Sequence, residues 1–313
     1  MTSPRRLSRD RHLRAWLATL TIALGLVCLD SGAVGAAGTC TPFAYVTNAA
    51  ANLVSVIDLT TNTVTTSVTV GNAPLGIAVT PDGTTAYASS STANTVSVID
   101  TATNTVTATL SGFAQPRNIA IAPNGAKVYV ADANSNSVKI IDTATNTVTT
   151  GAATASSASG ITIAPNGTTA YVTNYNSNNV SVIDLATNTV TTTIAVASGP
   201  SGLAIAPNGT TAYVGRTGAS SVSIMNLTNN TVGTAITVGT QPIEVALTPD
   251  GATAYVSNFQ SNNVSVVDTS TNTVTATINV TAGPWDIALR TCAPAPTPTT
   301  APATDPVAPV FTG

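Results

Sequence analysis

Residues 116–150 read PRNIAIAPNGAKVYVADANSNSVKIIDTATNTVTT, and closely similar text recurs along most of the chain. The tyrosine of this stretch is one of six that follow one another at constant intervals of 42 residues: Tyr45, Tyr87, Tyr129, Tyr171, Tyr213 and Tyr255. A repeat period of about 40 residues is typical of a β-propeller or a solenoid array. The spacing therefore predicts a fold built from six equivalent units.

One unit predicts four short strands joined by hairpins. They cover Ile119–Ala122, Val128–Val130, Val138–Ile141 and a fourth strand that starts at Thr147–Thr150. Four-stranded antiparallel units at this spacing favour propeller blades over a sandwich, since a single blade cannot bury both faces of its sheet and neighbours must stack around an axis. The sequence predicts an all-β, six-bladed β-propeller, with the first strand of each blade at the axis and apolar residues such as Ile77 and Val79 between blades.

Turn residues recur at fixed places in the units. A glycine closes the first hairpin and an asparagine lies in the hairpin between the third and fourth strands, because both tolerate positive φ. A ring of acids ends the third strands: Asp58, Asp100, Asp142, Asp184 and Asp268, with Asn226 in the remaining unit. Because Asn226 replaces one of them, we interpret this ring as turn-capping acceptors of backbone N–H groups and not as a metal site.

The ends of the repeat region predict how the ring closes. The chain begins the repeats in a second-strand position at Tyr45 and leaves them with a first strand at Pro284–Leu289, so both ends should share one blade. Cys40 and Cys292 lie 252 residues apart, a whole number of 42-residue repeats, and are the two cysteines outside the N-terminal segment. In an oxidising compartment we expect a Cys40–Cys292 disulfide in place of the turn between the two strands.

The segments outside the repeats have a different composition. Residues 1–38 combine five arginines with an apolar stretch from Ala15 to Leu29 and predict a secretory signal peptide, exported by the general or the twin-arginine route. Residues 39–292 form the predicted propeller, and the Pro/Thr/Ala-rich residues 293–313 predict a disordered tail. We expect a secreted, periplasmic or cell-surface protein with no integral membrane segment after signal removal.

Charge and residue types narrow the possible functions. Beyond residue 38 the chain has five cations and eleven acids, a net charge of −6, which argues against nucleic acid as a partner. The one histidine, His12, lies in the predicted signal peptide, so we assign no catalytic residue, no metal site and no cofactor. An alternative stays open: a carboxylate-dependent hydrolase, lyase or lactonase, should Asp132, Glu244 and Asp286 cluster in the fold.

One face of the predicted disc varies between units. Its loops join the second strand to the third and each blade to the next, whereas the opposite face carries the repeated turns. Residues that recognise a ligand need not repeat, so we expect a binding face made of the non-repeating residues Arg117, Tyr175, Arg216, Glu244, Phe259, Trp285 and Asp286. We expect any ligand to contact Arg117 and Trp285 near the axis. Drift at tolerant loop positions is the alternative.

The repeated text resembles a known family. Tyr45-Val-Thr-Asn48 and Tyr171-Val-Thr-Asn174, followed by an Asn-x-Val-Ser-Val-Ile-Asp run and a Thr-Asn-Thr-Val turn, are similar to the YVTN-type β-propeller repeat over about residues 41–292. Three units keep the tyrosine but depart from the motif after it, as Tyr87-Ala-Ser-Ser90, Tyr129-Val-Ala-Asp132 and Tyr213-Val-Gly-Arg216, and the family often has seven blades where this chain has text for six. The resemblance implies an exported, surface-layer-like propeller. We therefore predict a non-enzymatic module that binds an unknown protein or glycan at the cell surface, with a purely structural array component as a further alternative.

Overall fold

The computed structural model describes residues 43–58, 61, 63–279 and 284, and these residues form a six-bladed β-propeller without helices. Five blades are four-stranded antiparallel sheets whose strands follow one another in chain order, and the first blade has three described strands. Within this part of the chain no helix could span a membrane. The predicted fold class is confirmed.

The blades are numbered along the chain. Blade 1 contains β1 (Phe43–Asn48), β2 (Leu53–Asp58) and β3 (Thr63–Thr69). Blade 2 contains β4 (Pro74–Val79), β5 (Thr85–Ser90), β6 (Thr95–Asp100) and β7 (Thr105–Leu110). Blade 3 contains β8 (Pro116–Ile121), β9 (Lys127–Asp132), β10 (Ser137–Asp142) and β11 (Val148–Ala153).

Blades 4 to 6 repeat the same order. Blade 4 contains β12 (Ala158–Ile163), β13 (Thr169–Asn174), β14 (Asn179–Asp184) and β15 (Thr189–Ala195). Blade 5 contains β16 (Pro200–Ile205), β17 (Thr211–Arg216), β18 (Ser221–Asn226) and β19 (Thr231–Thr237). Blade 6 contains β20 (Pro242–Leu247), β21 (Thr253–Asn258), β22 (Asn263–Asp268) and β23 (Thr273–Asn279).

The core lies between blades. Five apolar clusters each combine residues of two neighbouring blades, from blades 1 and 2 to blades 5 and 6. Between blades 2 and 3, for example, Val96 and Val98 meet Val128 and Val130, all of them buried. Fully burying one such side chain contributes roughly 1.5–3 kcal/mol. Valine recurs at the place of Val96 in all six units, which helps to explain why the blades stack in the same way.

The first strands lie next to each other around the axis, as predicted, but they supply only part of this core. Ile119, Ile161 and Leu203 are buried, whereas Ile77 and Val79 are partly buried at the margin of their cluster. The most deeply buried side chains come from the second and third strands, because those strands have a neighbouring blade on both faces.

The repeated tyrosine links blades 1 and 2, blades 2 and 3, and blades 5 and 6. Tyr45 is buried, and its hydroxyl donates to Asn104 Oδ1 of blade 2 at 2.8 Å. Burial, helped by the charge of Asp100, raises the pKa of Tyr45 to about 12. Tyr87 makes the corresponding bond to Asn146 of blade 3 at 3.3 Å. The tyrosine ring fills the interface between blades while its hydroxyl reaches the turn asparagine of the neighbour.

The predicted closure of the ring lies largely outside the described residues. Of the predicted inner strand of blade 1 only Pro284 is described, and Cys40 and Cys292 are outside as well. The shared blade and the disulfide therefore stay predictions, as do the signal peptide and the C-terminal tail.

Candidate functional site

The two faces of the disc use their polar residues differently. On the face with the short hairpins, which we call the turn face, each third strand ends in an acceptor that binds backbone N–H groups of the turn. Asp100 accepts from Thr103 N at 2.7 Å, Asp184 from Thr187 N at 2.9 Å, and Asn226 from Thr228 N at 2.9 Å. The hydrogen bonds from the Thr103 N–H and the Thr103 hydroxyl lower the pKa of Asp100. The turn-capping interpretation of the acid ring is confirmed for these residues.

The positive-φ requirement of the turns is also confirmed. Gly83 and Gly125 have φ of 77° and 72°, and Asn104 and Asn146 have φ of 55° and 56°. Local hydrogen bonds that repeat from blade to blade therefore stabilise the turn face. Because its residues are nearly the same in every blade, this face offers few distinctive side chains for recognising a ligand.

Asp132 has a structural role on the opposite face, which we call the variable face. Its carboxylate is fully buried and accepts the Ala114 N–H at 2.7 and 2.9 Å and the Ser135 hydroxyl at 2.5 Å. Asn174 and Asn258 hold the same place and bind neighbouring serine hydroxyls at 2.9 Å. In the described part of the chain no three His, Cys, Asp or Glu residues come together as metal ligands. The carboxylate cluster of the hydrolase alternative thus lacks Asp132, and Asp286 is outside the described residues.

A β-bulge at the start of each inner strand turns side chains toward the axis. In blade 3 the register passes from Pro116↔Asp132 to Ile119↔Val130, so the inner strand has one residue more than its partner. The same shift occurs in blades 2, 4, 5 and 6. Bulges interrupt the pairing and re-aim side chains. The two residues between the proline (alanine in blade 4) and the first paired apolar residue lie in this bulge, and they are Ser-Gly in blades 4 and 5 but differ in blades 2, 3 and 6.

A hydroxyl on the second strand anchors the bulge in blades 2, 4 and 6, whereas blades 3 and 5 have Ala131 and Gly215 at this place. Thr173 Oγ1 accepts the Gly160 N–H at 2.7 Å and donates to the Ser201 carbonyl of the next blade at 2.5 Å. Ser89 does the same between Gly76 and the Arg117 carbonyl. This explains the third letter of the Tyr-Val-Thr-Asn motif. Sequence reasoning missed this contact, although the recurrence of Thr or Ser at this place could have indicated it.

The bulges surround a depression on the variable face, which we call the axial pocket. It has a volume of about 410 Å³ and is lined by bulge residues of blades 2 to 6 together with Tyr175 and Thr217 from the loops. A second cavity of about 340 Å³ is lined by deeper inner-strand residues, including Ile119 and Ile161, and shares Gly76, Asn118 and Glu244 with the axial pocket. Its lining reaches the prolines of the turn face, so the two cavities follow the propeller axis.

Among the described residues that line the axial pocket, Arg117 is the one cation. Its Nη1 donates to Ser159 Oγ of blade 4 over 3.4 Å, which is a long hydrogen bond. Its Nε is shielded from solvent and has no hydrogen-bond partner among the described residues. Burial lowers the pKa of the guanidinium, and the nearby Tyr175 acts in the opposite direction.

Two glycines of blade 5 make room for large side chains from the blades on either side. A Cβ added to Gly202 would lie 2.5 Å from the carboxylate of Glu244, which comes from blade 6. A Cβ added to Gly199, whose φ is +64°, would lie 3.2 Å from the ring of Tyr175, which comes from blade 4. The non-repeating Tyr175 and Glu244 are therefore each matched by a small residue in the neighbouring blade. These pairs could not be predicted by comparing one position across the repeats, because the two residues of each pair occupy different positions in different blades.

The structure brings three of the predicted residues together and separates two others. Arg117, Tyr175 and Glu244 line the axial pocket. Arg216 and Phe259 are on the same face but not among its lining residues: Arg216 Nε donates to the Ala197 carbonyl at 3.0 Å, and the Phe259 amide donates to the Gln241 carbonyl at 2.9 Å. Trp285 and Asp286 lie outside the described residues.

The six blades and the two cavities along their axis place this chain among β-propellers that have a polar pocket at one end of the axis. The profile of the YNCE-like beta-propeller family matches residues 8–232, more than half of the sequence. The chain belongs to this family, and the predicted family resemblance is confirmed.

Known structures and curated proteins give more distant likenesses. The solved hydrazine synthase of Kuenenia stuttgartiensis has a TM-score of 0.72 at 21% identity, covering 77% of this chain and 84% of that one. A functionally unknown protein from Desulfotomaculum acetoxidans DSM 771 has a TM-score of 0.63 at 20% identity, covering 72% and 75%. At such identities both support the fold alone.

The curated PE-PGRS family protein PE_PGRS18 of Mycobacterium tuberculosis (strain ATCC 25618 / H37Rv) is 65% identical over 37 residues. That stretch is 12% of this chain and 8% of the other protein, so this chain spans only a small part of the length of that relative.

Proposed function

We propose that this protein is an exported, non-enzymatic binding module that takes its ligand in the axial pocket of the variable face. The observation that carries the proposal is the composition of this pocket. Its backbone is set by the repeat, through the bulge and the hydroxyl contact, while its charged and aromatic side chains occur once each: Arg117, Tyr175 and Glu244. Functional residues on a rigid repeated scaffold are expected at such places.

The role outside the cell rests on the sequence. A basic, then apolar N-terminal segment favours export, and a net charge of −6 over the rest of the chain disfavours nucleic acid. The Asp132 carboxylate is occupied by hydrogen bonds from the Ala114 amide and the Ser135 hydroxyl. We therefore disfavour the alternative of a catalytic site made of Asp132, Glu244 and Asp286.

A binding screen tests the proposal. The exported chain is measured by thermal shift and by NMR against a panel of neutral, acidic and amino sugars, dipeptides and cell-envelope fragments. We expect at least one class of compound to bind and to perturb residues around Tyr175 and Ser159. Fractionation of the native host should recover the protein outside the cytoplasm.

The controls compare two matched pairs on the same face. Arg117→Gln and Tyr175→Ala should abolish the binding, whereas Arg216→Gln and Phe259→Ala should leave it intact, because the last two do not line the pocket. Binding that maps to the turn face, or binding that both pairs weaken equally, would contradict the proposed site.

A further inference from the structure

The state of the Arg117 side chain indicates what the ligand of the axial pocket must supply. A guanidinium offers five N–H donors and no acceptor. Among the described residues, Arg117 makes one hydrogen bond, the long one to Ser159, and its Nε–H is shielded from water with no acceptor. A donor withdrawn from water without an acceptor is unfavourable, and more so when it is charged. An anionic acceptor in the pocket would bind the Nη–H donors of the same guanidinium and compensate its buried charge, and it would reach Nε only if the side chain shifted.

The shape of the donor set favours a carboxylate. The planar guanidinium fork matches two oxygens of one planar group, so an Arg–carboxylate pair is held by two parallel bonds. Among the described residues that line the pocket, the only acid is Glu244. It stands on blade 6, three blades from Arg117 in a ring of six, and it lies against Gly202 of blade 5. The one hydrogen bond of Arg117 among the described residues goes to Ser159, so an anion carried by the ligand would supply its charge partner.

The rest of the pocket is suited to a compound rich in hydroxyl groups. Its lining carries the hydroxyls of Ser159, Ser201 and Thr217 and the amides of Gln115, Asn118 and Gln241. Hydroxyls and amides both donate and accept, as a sugar ring requires. The ring of Tyr175, 38% exposed, offers an aromatic surface against which the C–H face of a sugar can pack.

We infer that the axial pocket binds a carboxylate-bearing saccharide, a uronic acid or the uronic-acid residue of a glycan, with its carboxylate on Arg117 and its ring against Tyr175. The inference rests on the proposed function of the pocket and names its ligand class. Glu244 and the serine hydroxyls bind the sugar hydroxyls on the far side of the ring. A volume of about 410 Å³ accommodates one or two sugar units.

A titration series tests each part of the inference. Glucuronate and galacturonate are titrated into the exported chain and followed by NMR and calorimetry, beside glucose, galactose, the methyl ester of glucuronate, acetate and glycylglycine. We expect the two uronates to bind at least about tenfold more tightly than the neutral sugars, the ester and acetate, because a charge-assisted pair is replaced by a neutral one or the ring is lost. Arg117→Gln should remove this preference, and Arg216→Gln should keep it.

The outcomes separate the ligand class from the pocket. Equal affinity for uronates and neutral sugars, a preference for glycylglycine, or an unchanged preference in Arg117→Gln would overturn the uronate assignment while leaving the pocket as a binding site. Perturbations that avoid Tyr175 and Ser159 for every compound in the series would count against the pocket itself, and with it the proposed function. The Arg216→Gln variant also shows whether any loss in Arg117→Gln is a general effect of removing a cation from this face.

Discussion

The turn face and the variable face are built from the same six repeats but differ in what their polar side chains contact. On the turn face, side chains such as Asp100 and Asn226 bind the backbone beside them, so any residue with an oxygen acceptor serves and the pattern recurs. On the variable face, the bulge directs side chains such as Arg117 and Glu244 away from their own strand toward the axis. The difference teaches that the repeated side chains of the turn face bind the backbone of their own turn, whereas the non-repeating side chains of the bulges leave the sheet and line the axial pocket.

The largest expected effect contrasts two glycines at the same place in the bulge. In Gly76→Ala the new Cβ would meet backbone, the Arg117 carbonyl at 2.5 Å and the Asn118 Cα at 2.9 Å. In Gly202→Ala it would meet the carboxylate of Glu244, the movable end of a side chain. We expect Gly76→Ala to lower the free energy of unfolding by about 3 kcal/mol and Gly202→Ala by less than about 1 kcal/mol.

Urea unfolding of both variants measures this contrast. Gly202→Ala should retain the fold yet displace the carboxylate of Glu244, so ligand affinity at the axial pocket should change. If the two variants lose equal stability, then the bulges are not held in close backbone contact across blades as the structure has them.

The second expected effect contrasts two non-repeating acids of the variable face. Asp132 is fully buried and accepts the Ala114 amide and the Ser135 hydroxyl, so Asp132→Ala leaves buried donors without their acceptor. We expect a loss of about 2 kcal/mol in the free energy of unfolding. Glu244 lines the axial pocket. We expect Glu244→Ala to lower the free energy of unfolding by less than half as much as Asp132→Ala and to weaken ligand binding.

Chemical unfolding and binding measured on the same two samples check this division of roles. Asp132→Asn serves as the control, because asparagine is the natural residue at Asn174 and Asn258. A Glu244→Ala variant as unstable as Asp132→Ala would mean that Glu244 is also part of the fold, and the pocket would lose one of its three distinctive side chains.

The sequence predicted the blades because valine, glycine and asparagine recur for reasons that act within one unit or between identical neighbours. Val96 is valine in every unit because each blade interface needs a similar volume, and Asn104 repeats because its turn needs positive φ. The site was predicted only as a set of non-repeating residues. Which of them meet depends on the bulge and on pairs such as Tyr175 with Gly199, which belong to different blades. Arg216 was a candidate for the binding face together with Arg117, but its guanidinium donates to the Ala197 carbonyl.

The smallest expected effect concerns acid on the turn face. Backbone and hydroxyl hydrogen bonds lower the pKa of Asp100, Asp142, Asp184 and Asp268. Because the folded pKa is below the unfolded value of about 3.9, these carboxylates stabilise the fold above that pH, and the contribution is lost as the pH falls through the folded pKa. The loss for each exposed group is small, but the four act in the same direction.

Replacing all four with asparagine tests the argument, since Asn226 already fills this place in blade 5. At pH 7 the melting temperature should change little, because the amide oxygen accepts the same backbone N–H groups. Between about pH 4 and pH 2 the variant should lose less stability than the parent chain, as it has fewer carboxylates to protonate. The same four changes should leave ligand binding at the axial pocket unaltered. If they weakened binding as strongly as Arg117→Gln, the two faces would be coupled through the blades, and the separation of a structural face from a recognising face would be wrong.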